Sequence, residues 1–463
     1  MESETPLLQR EELVSALQRD GLCLRHAREN FKADEELVMF AVSQNGNALK
    51  FASEELKKSK AIVTAAALQH GPSMQYASKD LIEDRDFVLE LCAKGASCLS
   101  GLDEKMKKDK EVVLACMSAN GFQLDNADPS LQKDKEVVLR AVKSHGKALR
   151  FASEELLKDK EVVMAAVSEN GDALKFASSE LKNDRDVVLC AVKQSGDSLK
   201  HSSEEMRKDR EVVLEAVKKS GRALSLAPAF SDDKEIVTIA VQANAKALKF
   251  ASKDMKKEKD VVYSALKSEC SAGEGLKFAD PELQADKQLV MEAVRADGDA
   301  LQFANALLRG DKDVVTEAVS TRPEALEYAT DSLKIDKDVV IMAVKKAGDV
   351  LKVLPSEAQD KEVVLEALKT SGDAIKYVTE DLIADREVIK QAIISGGEKL
   401  LGAMVDSVET QQIIAEVIEE VERPATNSSG ETSCLNPNDE TAERRCEDES
   451  GGEQGDSKRR KVE

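Results

Sequence analysis

At 463 residues the chain is longer than one compact domain usually needs. It is 42% hydrophobic but only 3% aromatic, with no tryptophan, which excludes a large core built on big rings. Net charge is −21, from 67 Lys+Arg against 88 Asp+Glu. Phosphate backbones are held by clustered cations, so nucleic acid is a poor partner for the whole chain, and an acidic surface favours basic protein segments. No apolar run approaches the ~20 residues of a membrane span. The N-terminus, M-E-S-E-T-P, carries acids where a secretory or transit signal needs cations. Eight scattered cysteines fit reduced thiols in an intracellular setting, nuclear or cytoplasmic.

Residues 1–9 read as a disordered N-terminus, and from residue 10 the chain repeats one sentence. It is clearest in D-K-E-V-V-M-A-A-V-S-E-N-G-D-A-L-K-F-A-S-S-E-L-K-N, starting at Asp159. The opening position recurs every 25 residues at Asp34, Ser59, Asp84, Asp109, Asp134, Asp159, Asp184 and Asp209. It continues at Asp233, Glu258, Asp286, Asp311, Asp336, Asp360 and Asp385, spaced by 24, 25, 28, 25, 25, 24 and 25. These are fifteen copies; echoes from Arg10 and Thr410 raise the number to seventeen.

The Asp is an expected helix N-cap. The acid two residues on (Glu111, Asp186, Glu362) suits the positive end of the helix dipole. V-V-L-x-A-V puts apolar residues at offsets 3, 4, 7 and 8, the stripe of a buried helix face. The Ala at offset 7 (Ala141, Ala166, Ala191, Ala216) is small enough for a neighbouring helix to approach. Gly46, Gly121, Gly146, Gly171, Gly196 and Gly221 are expected to close this helix as left-handed C-caps. A glycine in every period also excludes a continuous coiled coil.

The second block, A-L-K-F-A and S-x-E-L, predicts one or two further turns, partly 3₁₀. Leu174, Phe176 or Ala177, and Leu181 are expected to pack against the first helix of their own and the next copy. Each copy is then a helix–turn–helix unit that buries its apolar face only against neighbours. The fold class is all-α, an α-solenoid over residues 10–421. Seventeen layers at 8–10 Å would run on the order of 140–160 Å along the superhelix.

The consensus D-[KR]-[ED]-V-V-L-x-A-V-x-x-x-G-x-A-L-x-[FY]-A-S-x-x-L resembles the tandem-repeat family known as domain of unknown function 4116, over roughly residues 10–420. The resemblance implies the repeat architecture and transfers no catalytic or binding residue. Gly101 and Asn126 depart from it by losing the aromatic, and Pro228, Pro323 and Pro355 are expected to bend the stack locally. The one 28-residue spacing comes from E-C-S-A-G-E-G-L, Glu269 to Leu276, read as a tolerated surface insertion, with a binding loop on one rim as the alternative.

Residues 422–463 are polar, with 11 acids and 7 bases, and read as a disordered acidic tail. Its end is basic: Lys458, Arg459, Arg460 and Lys461 form a candidate nuclear import signal, with a solvated charge run as the alternative. Ser457 beside it is a position where phosphorylation would tune that charge.

Metal and catalytic signals are missing from the pattern. His70 and His145 take the slot before the glycine, while His26 and His201 replace the core aromatic. Cys92, Cys98, Cys116 and Cys190 fall on buried apolar slots and read as small hydrophobes, without the close pairs of a zinc site. G-x-G at Gly273–Gly275 lacks the strand and long helix of a phosphate loop. The Asp, Lys and Glu of successive copies form charge ladders whose carboxylates are engaged in capping. Lys160, Glu161, Arg185 and Asp186 are generic outward charge.

The expectation is therefore a non-enzymatic scaffold with no cofactor and no metal, binding a protein partner with basic segments along an extended acidic surface. A nuclear nucleic-acid reader with one base per repeat is the alternative. The variable position it would use (Asn47, Asp172, Arg222, Asp299, Asp373) carries acids. An enzyme with a cryptic site is a third reading, which no residue supports.

Overall fold

A computed structural model describes residues 10–268, 272–396 and 408–422. Among these residues every element is helical, and three elements recur, the third being a 3₁₀ turn in some copies and a short α-helix in others, as at Lys79–Ile82 and Asp331–Lys334. The copy opened by Asp159 shows them: an α-helix (Lys160–Glu169), a six-residue 3₁₀ helix (Gly171–Phe176) and a single 3₁₀ turn (Leu181–Asn183). Among the described residues seventeen such longer helices follow one another, from Arg10–Arg19 to Val408–Glu422. The unit thus has one more element than helix–turn–helix, and its second helix is 3₁₀ throughout.

Each longer helix packs on the one before and the one after. The 3₁₀ helices stack likewise, so copy rests on copy along the chain. Val162, Val163, Ala166 and Val167 are all fully buried, the predicted stripe. Leu174 closes the core from the 3₁₀ side, also fully buried, and Ala177 and Leu181 border it. Burying these side chains contributes on the order of 1.5–3 kcal/mol per large residue, which single copies could not realise alone.

The cap prediction holds at thirteen of the fifteen positions. At Asp159, Oδ1 accepts the backbone N–H of Glu161 at 2.9 Å and of Val162 at 3.2 Å. Ser59 and Glu258 make no such side-chain bond.

The glycines are a correction. Gly46, Gly121, Gly146, Gly171, Gly196 and Gly221 do not end the longer helix in the left-handed region; among the described residues only Gly95 and Gly396 have positive φ. The residue before the glycine is the extended one, with Asn170 at φ −146°. Its side-chain oxygen accepts from Asp172 N–H at 3.1 Å, starting the 3₁₀ helix. Glycine follows because the next copy leaves no room. A Cβ on Gly146 would lie within 3.0 Å of the Ala166 carbonyl oxygen and of Asn170. The repeat's Gly and its offset-7 Ala are two halves of one close contact between copies.

A second tie between copies is made by the backbone. Ser153 N–H donates to the Gln132 carbonyl at 3.1 Å, and Ser178 N–H to Leu157 at 3.0 Å. The same bond recurs at Ser53, Ser78, Ser203, Asn305 and Thr330. Because a backbone N–H makes it, the bond does not depend on serine: Asn305 and Thr330 make it as Ser153 does.

The prolines interrupt none of the longer helices. Pro228 and Pro323 open 3₁₀ helices, where no N–H is missed, and Pro355 precedes one. Asn126 still ends a full 3₁₀ helix, whereas the copy containing Gly101 keeps only Leu99–Gly101 of it. In the insertion, residues 269–271 lie outside the described residues, and Ala272–Phe278 is a 3₁₀ helix.

Candidate functional site

The helix starts line up into a ladder of charge. Lys135, the residue after one cap, reaches forward to the next cap, Asp159, at 2.8 Å and to Glu161 at 2.8 Å. Lys110 does the same with Asp134 and Glu136, and Lys160 with Asp184 and Asp186. Arg85, Arg185 and Arg210 replace lysine, as in Arg85–Asp109 at 2.8 Å. The rungs continue to Lys361–Asp385 at 3.0 Å, and Arg386 pairs with Glu416 and Glu420.

The two oxygens of each cap divide the work. Asp109 Oδ1 accepts the N–H groups of Glu111 and Val112, while Oδ2 takes the Arg85 Nε. Three of the roughly four lone-pair sites of such a cap carboxylate are then in use, and its charge is already met by the cation of the copy before. The outer acid is different: Glu161 is 68% exposed where Asp159 is 26% exposed. Each full rung, one cation between two acids, leaves one net negative charge, and it leaves it at the exposed end.

Exposed pairs contribute only about 0–1 kcal/mol each, yet they shift titration together. The Lys135 ammonium, aided by the Val162 N–H, holds Asp159 below the usual carboxylate range despite its partial burial. Arg85 does the same for Asp109, and Lys287 for Asp311. A carboxyl whose folded pKa is depressed stabilises the fold above its unfolded pKa, about 3.9. That stabilisation is lost as pH falls toward the lower folded value. The array should therefore be most stable at pH 5–7 and lose stability below about pH 4, as circular dichroism against pH would read. Stability unchanged down to pH 2 would contradict the ladder.

The aromatic slot is also a correction. Phe151 and Phe176 are only partly buried, Phe250 is exposed, and cations lie over the rings. Arg150 sits 4.6 Å from the Phe151 centroid and Lys175 4.6 Å from that of Phe176. Lys277 lies 5.6 Å from both Phe278 and Phe303. The slot is a rim row, one ring per copy where present. One cavity along it, about 350 Å³, is lined by Arg222, Asn244, Lys246, Lys249, Phe250 and Phe278, together with Ala247 and Glu274. Acids interleave: Asp172 lies 3.6 Å from Lys147 and 3.5 Å from Lys200, and Asp299 pairs with Arg322 at 2.7 Å. His201 occupies a ring position, its pKa lowered by burial and then by Lys200. His26 is partly buried, His70 exposed and His145 partly buried.

Sequence reasoning missed one convergence. Cys92, Cys98 and Cys116 meet, with Sγ–Sγ distances of 2.8 Å for Cys92–Cys116 and 3.7 Å for Cys92–Cys98. All three sulfurs lie within 4.8 Å of one another. The residues are 0–5% exposed. Hydrogen bonds from Cys116 and Cys92 pull the Cys98 pKa down. Cys116 is pushed up by its contacts with Cys92 and Cys98 and by burial. The signal was available: Cys92 and Cys116 are 24 residues apart, one repeat, so stacking brings them together. Cys190, by contrast, is only partly buried, not the core residue its slot predicts.

The tail, with Lys458, Arg459, Arg460 and Lys461, lies outside the described residues. Among the described residues no helix is long and apolar enough to cross a membrane.

One family model, described as "Domain of unknown function (DUF4116)", matches in twelve overlapping or adjoining stretches. They run from residues 10–57 and 34–82 through 159–207 to 311–357 and 360–400. No curated protein matches the chain.

Proposed function

Since the chain belongs to the DUF4116 family, whose description names no activity, we propose its function from the surface itself: a non-catalytic repeat scaffold that holds an extended basic segment of a partner protein. The observation that carries this reading is the row of exposed outer acids, present in all copies but those with Ala61 and Gln288 at that place, with Glu136, Glu161, Asp186 and Glu211 between 58% and 73% exposed. Their spacing suits such a ligand. Copies 8–10 Å apart match three residues of extended chain at about 3.3 Å each. A cation at every third position would therefore meet one carboxylate per copy. A pre-formed array limits the ordering cost to the ligand.

The test is fluorescence anisotropy with a labelled 18-residue peptide carrying lysine at every third position, against one with the same lysines clustered. The spaced peptide should bind more tightly, and more weakly as salt rises. Reversing three acids together (Glu161→Lys, Asp186→Lys, Glu211→Lys) should weaken binding about tenfold or more, roughly 1.4 kcal/mol, with unchanged circular dichroism. Tighter binding of a single-stranded oligonucleotide would sink the proposal in favour of nucleic acid, which the ring-and-cation row resembles in kind but the interleaved Asp172 and Asp299 oppose.

The proposal places the protein in the nucleus through the basic end of the tail. Residues 450–463 fused to a fluorescent cargo should carry it there. Cargo that stays in the cytosol refutes the signal.

A further inference from the structure

Three copies' worth of comparison inside this one chain isolates the thiols. Cys92 stands at the offset where Val142 and Val167 stand in other copies, Cys98 where Ala148 and Ala173 stand, and Cys116 where Ala141 and Ala166 stand. Those residues pack the core fully buried without sulfur. Packing alone therefore asks for no cysteine at any of the three places. Yet all three departures point at one spot between two copies. They also fall where the repeat is irregular. The helix Arg85–Ala93 ends in a left-handed Gly95, at φ 92°, and the first turn of the 3₁₀ helix is replaced by the loop that carries Cys98.

We propose that Cys92, Cys98 and Cys116 form a binding site for one soft monovalent cation, Cu(I), held by three sulfurs. Thiolate donors select soft ions. Among the described residues no His, Asp or Glu joins the cluster, so the donor set is three sulfurs and nothing else. Zn(II) takes four ligands in structural sites, and no fourth is offered in this buried place. Three sulfurs around a metal at about 2.3 Å lie roughly 4 Å from each other. The Cys92–Cys98 separation of 3.7 Å already matches, and the Cys92–Cys116 separation of 2.8 Å has to open. The opening, about 1 Å, is within reach of side-chain rotation. Binding exchanges thiol protons for the metal, the protons leaving to solvent, with no change of oxidation state. The site joins the helix Arg85–Ala93 to the helix Lys110–Ala119, so loading it would cross-link neighbouring copies.

The control variant writes itself from the repeat. Cys92→Val, Cys98→Ala and Cys116→Ala together restore residues that other copies use, so the triple variant should fold. Full-length reduced protein, kept anaerobic, is titrated with Cu(I) in competition with bicinchoninate. The wild type should take up one more Cu(I) per chain than the triple variant. X-ray absorption should show three sulfur neighbours at about 2.3 Å. Single Cys98→Ala or Cys116→Ala variants should lose affinity about a hundredfold or more, beyond the 10–100-fold cost of losing an outer-sphere partner. Equal uptake by wild type and triple variant would overturn the site. So would preferential retention of Zn(II), or a Cys92–Cys116 disulfide found by mass spectrometry in protein that takes up no copper.

Discussion

Gly146→Ala is expected to destabilise the array by about 3 kcal/mol, at the top of the range for overpacking a core. The added methyl would meet the Ala166 carbonyl and Asn170 of the next copy, where backbone cannot step aside. The effect should be local. Amide exchange should accelerate in the copies opened by Asp134 and Asp159, while distant copies keep their protection, as nearest-neighbour coupling requires. Gly146→Asn decides between the two roles open to this glycine. A left-handed C-cap tolerates Asn, so mild destabilisation by Asn would restore that role. The close contact predicts that Asn is at least as harmful as Ala. Gly95 supplies the opposite case: its φ is 92° and a Cβ there meets nothing within 4 Å. Gly95→Asn should therefore cost far less than Gly146→Asn.

The second large effect is expected from Leu174→Ala, with a loss of about 2–5 kcal/mol as for other buried leucines. Leu174 is fully buried beneath its own longer helix and the next. Two residues on, Phe176→Ala removes a larger side chain but should cost only about 1 kcal/mol, because part of that ring already faces water. The ordering Leu above Phe, read by urea unfolding followed through amide exchange, separates core from rim. Equal losses would return the aromatic to the core. A single unfolding free energy is not well defined for a long array, so the exchange data carry the comparison.

Much of the fold was legible because each copy states the same local rules. The Asp cap and the V-V-x-x-A-V stripe act within one helix, and the structure shows both where the period puts them. The glycine was misread for a physical reason. Asn-Gly after a helix fits a left-handed C-cap and an Asn-capped 3₁₀ start equally well. What decides is the carbonyl of an alanine twenty residues on, in the next copy. The Ser–backbone bonds between copies were invisible for the same reason: both partners are unremarkable until stacked.

The candidate surfaces divide along that line too. The charge ladder follows from D-K-E recurring at one period, although the split of labour between the two oxygens of each cap does not. The aromatic row was taken for core because Phe in a helical repeat commonly is. Only the packed structure leaves the rings at the edge with Arg150 and Lys175 over them. The thiols were read along the chain, where Cys92 and Cys116 look distant. Written in lines of one period they fall beside each other.

The stack itself is tested most directly by small-angle X-ray scattering of the full chain. A compact globule of 463 residues would have a radius of gyration near 23 Å. Seventeen layers laid side by side predict a value well above about 30 Å and a pair-distance distribution with a long tail at a narrow cross-section. A radius near 23 Å with a symmetric, bell-shaped distribution would contradict the account.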